Sequence, residues 1–169
     1  YQDIKPAIDS VIVSILESAQ FINGPEVKSF QSEMEDYLGV KHVIPCANGT
    51  DALQIALMAL GLKPGDEVIT PSFTYIATTE VMALLGLKPI FVEVDRDTLC
   101  IAPDSIEAAS SSKTKAIVPV HLYGQAANMD AIMAIAKKYD LFVIEDNAQA
   151  IGSDYSHENG KTTKTGTIG

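Results

Sequence analysis

Short apolar runs alternate with helix-patterned segments along most of the chain, and this alternation restricts the fold more than any other feature. His42–Cys46, Glu67–Thr70, Pro89–Val94, Ala116–Val120 and Leu141–Glu145 read as strands. Between them, Asp51–Leu60, Tyr75–Leu85, Pro103–Ala109 and Met129–Tyr139 read as helices, the first two closed by Gly61 and Gly86. Earlier in the chain, Ile4, Ile8, Val11, Ile12 and Ile15 recur at helical spacing. A turn follows at Asn23-Gly24-Pro25, and Val27, Phe30, Met34 and Leu38 mark a second helix ending at Gly39. Strand–helix–strand repetition implies right-handed crossovers and a mostly parallel sheet. AIVPV and LFVIE are apolar nearly throughout, as strands covered on both faces are, so the expected class is a three-layer α/β/α fold. Ligands of such sheets bind beyond the carboxyl ends of the strands.

Size and charge narrow the function. The 169 residues can bury one substantial core, and no Pro/Gly/Ser-rich linker divides them; Ser110–Ser112 reads as a short loop. The net charge of −10 repels a phosphate backbone at long range, which disfavours nucleic acid as a partner. No apolar run is long enough to span a bilayer, and Asp3, Asp9 and Glu17 spoil a signal-peptide reading, so the expectation is a cytoplasmic protein with no membrane partner. Cys46 and Cys100 lie far apart outside any CxxC pair and are expected to be reduced and largely buried. No cluster has metal-ligand spacing, so no metal is expected.

The strand-end rule selects particular loops. In Ala47-Asn48-Gly49-Thr50-Asp51 a strand gives way to a helix, with Asn48 a plausible N-cap. Free amides at the helix start, its partial positive charge and the Thr50 hydroxyl could cradle a phosphate, or the loop could be a simple cap. It is neither GxxxxGK[ST] nor GxGxxG, which disfavours nucleotide-triphosphate and dinucleotide sites. Pro71-Ser72-Phe73-Thr74-Tyr75 puts aromatics at the same edge, where they could stack on a planar heterocycle or pack the helix start. Glu145-Asp146-Asn147-Ala148-Gln149 ends a buried strand in acid, which needs a partner. A protonated ring nitrogen would serve; so would nearby amides. His121, at the end of AIVPV, could line a pocket or be structural.

Four phrases in this order, FINGPEVKSFQSEMEDYLGVKHVIPCANGTDAL, LKPGDEVITPSFTYIATTEVMALLGLKPIFVEVD, TKAIVPVHLYGQAANMDAI and FVIEDNAQAIGSDY, resemble the DegT/DnrJ/EryC1/StrS sugar aminotransferases over nearly the whole chain. The resemblance implies the large domain of fold type I enzymes that depend on pyridoxal 5′-phosphate (PLP), with residues 1–169 its N-terminal part and the rest of it and a small C-terminal domain outside this sequence. It implies homodimers with shared active sites. The implied reaction moves an amino group from an amino-acid donor, glutamate, to a keto group of a nucleotide-linked sugar. A dehydratase of the same family, with histidine replacing the cofactor-binding lysine, and a non-catalytic homologue are the alternatives.

By the same resemblance, Gly49 and Thr50 bind the cofactor phosphate, with Asn48 where many relatives have serine. Tyr75 stacks on the cofactor ring, with Phe73 as a fallback. Asp146 is the catalytic carboxylate that pairs with the ring nitrogen, and Gln149 lies by the phenolic oxygen. Gly24 and Pro25 match a turn near the substrate entrance, and His121, from its strand-end position alone, is the further candidate for the substrate side. The Schiff-base lysine of the family lies beyond Gly169. Lys161 and Lys164, in HENGKTTKTG, are expected to be solvated turn residues.

Overall fold

The computed structural model describes residues 1–169, which form two compact units, Tyr1–Pro45 and Cys46–Gly169. The first unit holds two helices, α1 (Lys5–Ser18) and α2 (Pro25–Leu38). Both start with proline in the first turn, where no amide is needed, and both end on a left-handed residue, Ala19 and Gly39. Gly24 caps α2, and a Cβ there would lie 2.6 Å from the Gln20 carbonyl oxygen, so only glycine fits. The apolar stripe of α1 stays open, with Val11, Ile12 and Leu16 at least half exposed. His42–Cys46 forms no strand, contrary to expectation. The Val43 amide donates to Glu35 Oε1 at 3.0 Å instead, and Pro45 has no amide to offer a ladder.

The second unit is the layered fold. Its sheet runs β2-β1-β3-β4, with β1 Glu67–Pro71, β2 Lys88–Val92, β3 Thr114–Ile117 and β4 Phe142–Val143, every pair parallel. Helices α3 (Gly49–Ala59), α4 (Ala77–Leu84), α5 (Pro103–Ala109) and α6 (Met129–Tyr139) cover it. Adjacent strand residues face opposite sides, and both sides are apolar. Ile69 and Ile117 pack with Ile106 of α5 and with Met129 and Ile132 of α6. Their neighbours Val68 and Ala116 pack with Leu57 of α3 and with Val81 and Met82 of α4. The sheet is thus the middle of three layers, as its sequence implied. The edge side chains Phe91 of β2 and Phe142 of β4 remain half exposed.

Past β3 the ladder continues without regular strand. Val118 N–H donates to the Ile69 carbonyl at 2.8 Å, and Val120 bridges Asp146 in parallel. The polar tail is more ordered than its composition suggests. It forms an antiparallel hairpin, β5 (Asp154–Ser156) and β6 (Thr162–Lys164). Lys164 is therefore a strand residue, paired with Asp154 at 2.8 Å and donating to the Gly152 carbonyl at 3.2 Å, not a turn residue. Lys161 is exposed between the two strands. Cys100 is buried as expected, whereas Cys46 is exposed. No helix is long and apolar enough to cross a membrane.

Candidate active site

The start of α3 and the segments that follow β1 and β4 meet around a cavity of about 220 Å³. Gly49, Thr50, Tyr75, Thr78, Asp146 and Gln149 are among its walls, and Asp146 is the only charged residue in them.

The first wall is the start of α3. Asn48 caps it, its Oδ1 accepting from Asp51 N–H at 2.9 Å. Asn48 Nδ2 donates to Asp51 Oδ2 at 3.0 Å. The Asn48 side chain is thereby engaged with its own helix and is absent from the cavity wall. The amides of Gly49 and Thr50 have no partner within the helix, as at any helix start. A Cβ on Gly49 would meet no protein atom within 4 Å, so the missing side chain leaves open room beside these amides. An anion there meets free N–H groups, the Thr50 hydroxyl and the positive end of the helix.

The second wall follows β1. Ser72 N–H closes the strand by donating to the Val92 carbonyl at 2.9 Å, and the chain then turns into α4. Tyr75 lines the cavity and is 71% exposed. Phe73 lines only a neighbouring cavity. Thr78, in the first turn of α4, is buried and donates from Oγ1 to Asp146 Oδ2 at 2.8 Å. Nothing in the sequence marks Thr78 as a site residue, because a threonine at a helix start is ordinary.

The third wall is the end of β4. Asp146 is tied on both sides of its backbone to the preceding strand. Its N–H donates to the Pro119 carbonyl at 2.9 Å, and its carbonyl accepts from His121 N–H at 3.1 Å. Its carboxylate lines the cavity with two neutral partners, the Thr78 hydroxyl on Oδ2 and, more loosely, Ala148 N–H on Oδ1 at 3.4 Å, and with no cation beside it, leaving it ready for a cationic N–H.

Glu145, one residue earlier, faces the other way. Its Oε1 accepts from the amides of Ile168 and Gly169, both at 2.6 Å, and its Oε2 from Gly166 N–H at 2.8 Å. Oε2 also accepts from His121 Nε2 at 2.8 Å. Burial pushes the Glu145 carboxyl up; His121 and the amides of Gly169, Gly166 and Ile168 outweigh it and hold the group below its ordinary value. His121 is fully buried, and its Nδ1 accepts from Ala127 N–H at 3.0 Å. With Nδ1 accepting, the ring proton sits on Nε2 and points at Glu145. Both nitrogens are used inside the protein, and His121 lines neither this cavity nor the one beside it. The pair of carboxylates in Glu145-Asp146 was the available signal: neighbours on a strand point to opposite faces.

Gly24 and Pro25 belong to the first unit, as the cap and first turn of α2.

Known proteins place this arrangement. A 55% identical relative from Pseudomonas aeruginosa, matched over 90% of this chain and 42% of its own, is UDP-2-acetamido-2-deoxy-3-oxo-D-glucuronate aminotransferase. A 52% identical relative from Geobacillus stearothermophilus, matched over 95% of this chain and 42% of its own, is called a pleiotropic regulatory protein. The chain therefore spans about two fifths of the length of these relatives. A Bacillus subtilis protein solved with bound cofactor PMP superposes with a TM-score of 0.88 at 42% identity, over 90% of this chain and 35% of that one. The profile of one family matches residues 2–169, and with the three-walled cavity at the strand ends it settles membership: the chain belongs to the DegT/DnrJ/EryC1/StrS aminotransferase family.

Proposed function

We propose that the protein uses PLP to move an amino group from glutamate to the keto group of a nucleotide-linked sugar. One observation carries this reading. A single cavity joins free helix amides, an exposed aromatic ring and a carboxylate with no cationic neighbour. These contacts fit the phosphate, the ring face and the protonated ring nitrogen of that cofactor, so the residues present suit the group. When bound, PLP supplies a ring that stabilises the negative charge left on a carbon that loses its proton.

The protein's own contribution is binding and electrostatics. The Gly49 and Thr50 amides and the Thr50 hydroxyl hold the phosphate at the start of α3. Asp146, oriented by Thr78 and by its doubly tied backbone, keeps a proton on the ring nitrogen. Tyr75 and Gln149, both in the cavity wall, would cover one ring face and lie by the phenolic oxygen. Neither Lys161 nor Lys164 lines the cavity, in keeping with an attachment lysine elsewhere in the full-length protein. The names of the aminotransferase relatives support the sugar substrate. We further infer a cytoplasmic homodimer with shared sites, supplying amino sugars for polysaccharide biosynthesis.

The test is spectroscopic and kinetic. Full-length protein with added PLP should show visible cofactor absorbance that glutamate changes, and should aminate a member of a panel of UDP-, GDP- and dTDP-linked keto sugars. Asp146→Ala should weaken PLP binding and nearly abolish transfer. Unchanged turnover in that variant would refute the role of Asp146. Loss of a sugar hydroxyl instead of gain of an amine would favour the dehydratase.

A further inference from the structure

A second cavity of about 250 Å³ adjoins the first and shares Thr74, Tyr75 and Gln149 with it. Phe73, Leu122 and Tyr123 complete its walls, which contain no charged residue. Tyr123 is the unusual member. Its backbone is left-handed, with φ +56° and ψ +26°, a region that favours glycine and asparagine over a bulky aromatic. Burying the ring does not explain this conformation, because Tyr123 is 72% exposed while Leu122 before it is buried. The turn is held by a tie to the first cavity: Tyr123 N–H donates to Gln149 Oε1 at 2.8 Å. That bond fixes the amide of Gln149, since its oxygen is used and its Nε2 remains as a donor between the two cavities. Strained residues held by such ties cluster at ligand sites.

We propose that the pocket walled by Phe73, Tyr75 and Tyr123 is the subsite for the hydroxyl-bearing face of the amino acceptor's sugar ring. Aromatic faces beside one amide donor suit that uncharged part of a sugar. A carboxylate, which every amino-acid donor carries, finds no cation there. The inference rests on the proposed reading of the first cavity and adds to it which partner enters from this side.

The two half-reactions of full-length holoenzyme separate the claims. Glutamate alone reports the donor half; a keto sugar accepted by the wild type, added after glutamate, reports the acceptor half. Tyr123→Asn removes the ring and keeps a residue that tolerates the left-handed backbone. It should lower kcat/KM of the acceptor half by about tenfold more than that of the donor half, mainly through KM. Phe73→Leu, on a different loop, should act in the same direction, and Tyr123→Phe should stay near wild type. Equal losses in both halves, or no loss in either, overturn the subsite. A wild type that binds no PLP or accepts no keto sugar overturns the underlying reading, and the subsite falls with it.

Discussion

His121 Nε2 donates to Glu145 Oε2 at 2.8 Å, with side chains 0% and 3% exposed. A buried carboxylate survives only if its oxygens are filled, and here the imidazole and three backbone amides fill them. Glu145→Gln replaces one acceptor oxygen with a donor and leaves N–H groups facing N–H groups. The expected loss at neutral pH is about 2 kcal/mol or more, read from urea melts. The wild-type carboxyl is more acidic folded than unfolded, so its contribution is complete above the unfolded value of about 4.3 and fades as pH falls through the lower folded value. The variant should show a shallower loss of stability below about pH 4. An acid limb as steep as that of wild type would count against the assignment.

Thr78→Val keeps shape and removes the hydroxyl that holds Asp146 Oδ2. A hydrogen bond to a charged acceptor contributes about 1.5–3 kcal/mol. PLP affinity, titrated by absorbance, should fall by about tenfold, since roughly 1.4 kcal/mol corresponds to a factor of ten. Thr78→Ser should restore most of it. Equal affinity in wild type and Thr78→Val would show that Asp146 needs no such support.

Asn48 offers the opposite pattern, because its amide is spent on Asp51. Asn48→Ala should cost about 1 kcal/mol of stability through the lost cap. Asn48→Ser should be nearly neutral, since serine caps as well. PLP affinity should change less than stability does; a large drop in affinity with an unaltered melting curve would mark Asn48 as a direct ligand.

Gly166→Ala is predicted to be severe. Its φ of +81° disfavours any side chain, and a Cβ would stand 2.7 Å from Asn147 Nδ2. Relief of that overlap would also pull the Gly166 amide from Glu145. A loss of about 2 kcal/mol or more is expected in thermal or urea unfolding. Gly160→Ala shares the positive φ but has open space, and should cost less.

The sequence made the core of the layered unit visible because strands covered on both faces must be apolar throughout. Val68 with Ile69 and Ala116 with Ile117 show this directly, each pair splitting its burial between the two faces. His42–Cys46 has the same apolar look, but Pro45 denies it a donor and Glu35 captures Val43. The hairpin at Asp154–Ser156 and Thr162–Lys164 escaped notice for the reverse reason. Its strands are polar and short, and only Asn159-Gly160 hinted at a turn. Gly49, Thr50, Tyr75, Asp146 and Gln149 line one cavity, and the sequence singled them out because each lies just past an apolar run, although the run before Gly49 is not a strand. Thr78 and Tyr123 could not be read in this way, and Glu145 showed itself only through its pairing with Asp146. Their importance comes from partners distant in sequence, 68 residues away for Thr78 and Asp146, 26 for Tyr123 and Gln149.

The opposite facing of Glu145 and Asp146 has an evolutionary consequence. Architecture hangs on the first carboxylate and, under the proposed function, chemistry on the second, so the two can be selected separately. Asp146→Asn needs a single nucleotide change, and the Thr78 hydroxyl can donate to an amide oxygen as readily as to a carboxylate. A descendant could therefore retire the reaction in one step without disturbing its scaffold. Lineages built on this arrangement have a short route from catalyst to binding protein, provided position 145 is left alone.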